Sequence, residues 1–132
     1  MTAIEGVRPD GSRVSIDLHG RRLVAFLTSS CQGCAWWWGH LDKAPSGVPE
    51  LAAVVTPDPS LESARAVSQL APQGVSVVMS SDTWNRFSVR QSTTFLVLDE
   101  GRVSARAVPT SWQDILAIPA LAHRKSSDPR TE

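Results

Sequence analysis

Hydrophobic and polar positions alternate near the start of the chain: Val14, Ile16 and Leu18 are separated by Ser15 and Asp17. A period of two predicts a strand with one buried face. Asp10-Gly11 separates this run from residues 4–8, and the two runs with that turn predict a β-hairpin. After a turn at His19-Gly20 the pattern changes to an unbroken apolar run, residues 23–27 (LVAFL). Such a run predicts a strand covered on both faces, as in a sheet with helices on each side. Serines at 29 and 30 then offer helix N-caps, and a helix is predicted over residues 31–42, ending before Pro45.

Residues 51–55 repeat the buried-strand pattern. Asp58-Pro59 places a capping residue before a first-turn proline, and Leu61, Ala64, Val67, Leu70 and Ala71 recur at helical spacing. This predicts an amphipathic helix stopped by Pro72 and Gly74. Residues 75–79 predict a third buried strand. Ser80-Ser81-Asp82 caps a short helix with Trp84 and Phe87, and residues 94–98 and 103–108 pair as a hairpin around Glu100-Gly101. Ser111 and Asp114 open a last helix, with Trp112, Ile115, Leu116 and Ile118 facing the core and Pro119 ending it.

Strands separated by helices imply parallel crossovers, and the late hairpin implies an antiparallel edge. The expected architecture is α/β: a three-layer α/β/α sandwich on one mixed sheet, with an extra N-terminal β-hairpin. A length of 132 residues fits one domain, expected over 1–122, followed by a polar tail at 123–132. A hydrophobic share of 42% against 20% charged excludes a disordered chain. Basic and acidic residues balance at 13 each, so no cationic excess exists to neutralise phosphates, and nucleic acid is not an expected partner. The first residues show neither a basic segment nor an apolar core of a signal peptide, and no apolar run approaches a membrane span. A cytoplasmic protein is expected.

The chain has two cysteines, Cys31 and Cys34, spaced CxxC where a buried strand meets a predicted helix. The first turn of a helix carries amide groups without intrahelical partners and partial positive charge. A thiolate there is stabilised, so Cys31 is the expected nucleophile with a lowered pKa. Cys34, one turn on, is placed to resolve a mixed disulfide formed by Cys31. Two other readings stand beside this one. Zinc would need two further ligands, and His40 and His19 are the only histidines upstream of the C-terminal His123. The pair can also be buried structural cysteines. No hydrolase, zinc-protease or phosphate-loop motif is present.

The stretches DGSRVSIDLHGRRLVAFLTSSCQGC (residues 10–34) and FSVRQSTTFLVLDEGRV (residues 87–103) resemble thioredoxin-fold redoxins. They are most similar to those that open with an extra hairpin, the cytochrome-maturation and methylamine-dehydrogenase-maturation type. The resemblance implies thiol–disulfide exchange with a protein disulfide or dithiol, Cys31 attacking and Cys34 resolving, with no cofactor or metal. It also implies a partner-facing surface of Ser30, Gln32 and Gly33 around the dithiol and Ser92 and Thr93 in a loop beside it. Several positions depart from the family pattern. Ser30 stands where an aromatic residue is usual, Gln32-Gly33 replaces Gly-Pro, and Ala25 takes the place of a buried acid. The family's cis-proline falls at Thr93, or at Ser92 after a one-residue slide. A non-proline cis bond costs ~3 kcal/mol, so a trans peptide is expected. A hydroxyl there can hydrogen-bond the thiolate. A peroxiredoxin-like reading draws on Thr28-x-x-Cys31, but Val24 occupies the position of that family's proline. A third reading keeps the fold as a protein-binding module without general catalysis.

Trp36, Trp37 and Trp38 follow the dithiol directly. Consecutive helical residues point about 100° apart, so three indoles sweep more than a core-facing stripe and at least one should be partly exposed. They can pack around the helix end, or Trp36 and Trp37 can form an aromatic docking surface. Trp84 and Trp112 are expected in the core.

Overall fold

The computed structural model describes residues 3–119; the expected tail and His123 lie outside them. The seven strands are β1 (Ala3–Val7), β2 (Arg13–Asp17), β3 (Arg21–Phe26), β4 (Glu50–Thr56), β5 (Val77–Met79), β6 (Thr94–Asp99) and β7 (Arg102–Ala107). They form one sheet in the order β2-β1-β5-β4-β3-β6-β7. The three central strands β5, β4 and β3 are parallel, and β6, β7 and the β1–β2 hairpin add antiparallel flanks. Helices α1 (Gln32–Trp38), α2 (Ala64–Leu70), α3 (Ser81–Arg86) and α4 (Trp112–Leu116) connect or follow them.

Residues with side chains on alternate faces of the central strands split into two apolar clusters. Leu23, Ala25, Val54 and Phe95 meet Cys34, Trp37 and Trp38 of α1, Val67 of α2, and Trp112 and Ile115 of α4. On the other face Val24, Phe26, Ala53, Val55 and Leu96 meet Phe87 at the end of α3 and Val14 of the hairpin. This is the expected sandwich: an unbroken apolar strand is covered twice because each face meets its own helices. The hairpin turn uses Gly11 at φ +89°, a conformation glycine adopts without Cβ strain.

Two helix boundaries and one capping bond differ from the pattern. α1 stops at Trp38 rather than at 42. Gly39 caps it and a turn follows: His40 O accepts both the Lys43 N–H at 3.0 Å and Trp112 Nε1 at 2.9 Å, and Lys43 Nζ donates to Gly39 O at 3.1 Å. α2 starts at Ala64, not after Asp58. The Asp58 carboxylate accepts from Ser60 N and Oγ, closing a separate turn, and Ser63 Oγ caps the helix through Ala66 N. Leu61 consequently lies outside the helix, 76% exposed, and Val67 alone of α2 is fully buried. At α4, Ser111 makes no side-chain cap bond; Asp114 instead accepts from Thr110 N and Oγ1, which lowers its carboxyl below the ordinary value. Trp112 is buried as expected, whereas Trp84 is only partly buried against the second cluster.

Candidate functional site

β3 carries the chain through the buried Leu27 into the turn at 28–31, and α1 starts there. Cys31 is the N-cap: its backbone is extended (φ −80°, ψ 145°) and its Sγ accepts the Cys34 N–H at 3.0 Å. Cys31 and Cys34 form a disulfide, with Cα atoms 5.2 Å apart. Cys31 is partly exposed and Cys34 is fully buried. Only the first sulfur is therefore open to another molecule. Cys34 Sγ accepts the Thr28 N–H at 3.4 Å, so each sulfur receives one backbone amide. A hydrogen bond to sulfur favours its charged form once the pair is reduced. Among the described residues no group of three or more His, Cys, Asp or Glu side chains is placed to hold a metal ion. His40 instead bonds Trp36 O through Nδ1 at 2.7 Å.

The turn before Cys31 is held from two sides. Trp38 Nε1 donates to Thr28 O at 3.0 Å. Glu62, from the loop before α2, accepts from Ser29 N at 2.9 Å and Ser29 Oγ at 2.5 Å. Glu62 is a site residue that sequence reasoning missed. Its single mark in the sequence is its place just before a helix-capping serine, a pattern too common to single it out. Ala25, at the position of the family's buried acid, is an apolar core residue with no exposure.

Ser30, Gln32 and Gly33 are exposed around the disulfide. The Ser92–Thr93 loop lies beside them: a Cβ added to Gly33 would sit 3.1 Å from Thr93 Cγ2. The described residues contain no cis peptide, so the bond before Thr93 is trans. Thr93 has φ +60°, a left-handed backbone that costs a residue with a Cβ roughly 1–2 kcal/mol and is rare for a β-branched one. Its N–H is committed to Phe26 O at 2.9 Å and its hydroxyl to Ser92 O at 2.7 Å. With the pair oxidised the hydroxyl donates to Ser92 O, and both the methyl and the hydroxyl oxygen lie beside the dithiol turn, the methyl nearer.

The tryptophans separate by helical phase. Positions 34, 37 and 38 share the buried face, and Trp36 points away, 39% exposed. Trp37 is fully buried, its Nε1 donating to Pro109 O at 3.2 Å and its ring against Phe95 and Trp112. It serves the core and cannot form part of a docking surface. The spacing from Cys34, three and four residues, was the available signal. Trp36 stacks on His40 with centroids 3.8 Å apart and planes 7° from parallel.

No family model and no curated protein matches this sequence. Solved structures do. A thioredoxin-like protein from Aeropyrum pernix is 14% identical, covering 93% of this chain and 89% of that one at a TM-score of 0.63. The pneumococcal exposed lipoprotein thioredoxin of Streptococcus pneumoniae is 14% identical over 92% of this chain and 98% of its own, with a TM-score of 0.67. The thioredoxin domain of a thiol-disulfide oxidoreductase from Bacteroides vulgatus is 18% identical, covering 86% and 90%, at 0.63. Among the described residues no helix is long and apolar enough to cross a membrane. The sheet order, the two helical layers and these matches together establish that this chain has a thioredoxin-like fold, with its CxxC pair at the start of α1.

Proposed function

We propose that this protein is a thiol–disulfide oxidoreductase that exchanges its Cys31–Cys34 pair with the disulfide or dithiol of a protein partner. The observation that carries the reading is the pairing of an accessible sulfur with a buried one at the cap of α1. In the reducing direction Cys31 thiolate attacks one sulfur of the partner disulfide. A new S–S bond forms, and the other partner sulfur leaves as a thiolate. Cys34, having lost its proton to water, attacks Cys31 Sγ, restoring the internal disulfide and releasing the second partner sulfur. Two electrons pass to the partner, and the reverse sequence oxidises it. Ser30, Gln32 and Gly33 supply the exposed rim, Ser92 flanks it, and Trp36 adds an aromatic contact on the same helix. The matched oxidoreductase from Bacteroides vulgatus supports the reading by name.

The expectation of a cytoplasmic protein belongs to this proposal. The pneumococcal match is by name an exposed lipoprotein, and localising the full-length chain decides between the two compartments.

Titration of free thiols in dithiothreitol buffers of graded potential tests the activity. The two thiols should vanish together as one two-electron couple. A pair that stays reduced, or stays oxidised, at every potential contradicts the proposal.

A further inference from the structure

We infer that the Thr93 methyl group restricts position 33 to glycine when Cys31 and Cys34 are joined, and so couples that position to the redox state of the pair; the inference rests on the redox reading above. Gly33 lies between the two cysteines. The three atoms nearest to the Cβ it lacks all belong to Thr93: Cγ2 at 3.1 Å, Oγ1 at 3.8 Å and Cβ at 4.0 Å. Contacts at 3.1 Å require one side to give way.

Thr93 is poorly placed to give. Its N–H is bonded to Phe26 O, extending the β3–β6 pairing by one residue. Its hydroxyl is bonded to Ser92 O, which fixes the rotamer and leaves the methyl toward Gly33. The residue is 9% exposed, and its φ of +60° is held against the ordinary preference of threonine. The methyl is thus a stiff wall against the turn that the disulfide closes, and glycine is the side chain that fits under it.

The wall should weigh unequally on the two redox forms. Reduction adds two electrons and two protons, turning the S–S bond into two thiols. The sulfurs then separate from bonding distance to van der Waals contact, and the turn between them loosens. A Cβ at position 33 therefore disfavours the disulfide more than the dithiol. Any gain in helix propensity from alanine acts on both forms and cancels in the comparison.

The test is a double-mutant cycle of Gly33→Ala and Thr93→Ser, each equilibrated with dithiothreitol, which becomes its own cyclic disulfide as the protein is reduced. Serine keeps the hydroxyl and removes only the methyl. Gly33→Ala should shift the equilibrium about tenfold toward the dithiol, about 30 mV for a two-electron couple. Thr93→Ser alone, and the double variant, should lie within about twofold of wild type, the usual limit of additivity. A Gly33→Ala shift below that limit, or one equally large in the Thr93→Ser background, overturns the inference. If Gly33→Ala fails to fold, a double variant that folds and titrates near wild type supports it, and a double variant that also fails overturns it. A wild-type pair that never cycles removes the redox reading and this inference together, whereas the preceding outcomes remove the inference alone.

Discussion

Helices α1 and α2 have the same length and begin the same way. Each has seven residues, each follows a cap residue with extended backbone, and in each the cap side chain accepts the amide three residues on. In α2 the acceptor is Ser63 Oγ, 3.1 Å from Ala66 N; in α1 it is Cys31 Sγ, 3.0 Å from Cys34 N. The difference is one atom. An oxygen in that position only satisfies an orphan amide, whereas a sulfur there is both satisfied and able to exchange. The amide that satisfies it belongs to the residue whose own sulfur closes the disulfide. The helices also differ in anchorage: α1 buries Cys34, Trp37 and Trp38, and α2 only Val67. The reactive cap thus sits on the firmly seated helix, and the inert cap on the loose one.

Replacing the sulfur by oxygen breaks the comparison most completely. Cys31→Ser should reduce disulfide exchange with a peptide disulfide to background. Serine is a good cap, so urea unfolding should stay within about 1 kcal/mol of reduced wild type. A variant that still exchanges would assign the chemistry to Cys34 alone.

The anchorage of α1 is tested next. Trp37→Ala should cost about 3–5 kcal/mol in urea unfolding, as for other buried aromatics, while Trp36→Ala should cost less than about 1 kcal/mol. Equal losses would show that the two indoles share one environment. At the inert cap, Ser63→Ala should cost about 1 kcal/mol and leave the exchange rate unchanged. A slowed exchange would mean that α2 reaches the dithiol, through Glu62 and Ser29, more strongly than the cap comparison allows.

Much of this arrangement could be read along the chain because the signals were local. The LVAFL run fixed a doubly covered strand, and CxxC after it fixed where a helix would start. What escaped was decided by individual side-chain hydrogen bonds that no periodicity marks, some to near neighbours and some to residues distant in sequence. Asp58 reads as a helix cap, yet its carboxylate closes a turn with Ser60. Residues 39–42 read as helix, yet the His40 carbonyl is shared by a turn to the Lys43 N–H and by Trp112 Nε1, 72 positions later. Glu62 carries no pattern that points to Ser29, 33 positions earlier. The Thr93 hydroxyl donates to Ser92 O, and of its side-chain atoms the methyl lies nearest Gly33, a packing that no periodicity marks.

The claim that Cys31 is the sulfur that meets the partner can be tested by trapping. Cys34→Ser, reduced and mixed with an unfolded protein carrying a disulfide, should accumulate a stable mixed disulfide whose tryptic peptide contains Cys31. Cys31→Ser should accumulate none, because Cys34 is fully buried. Equal trapping by both variants, or by neither, would contradict the account.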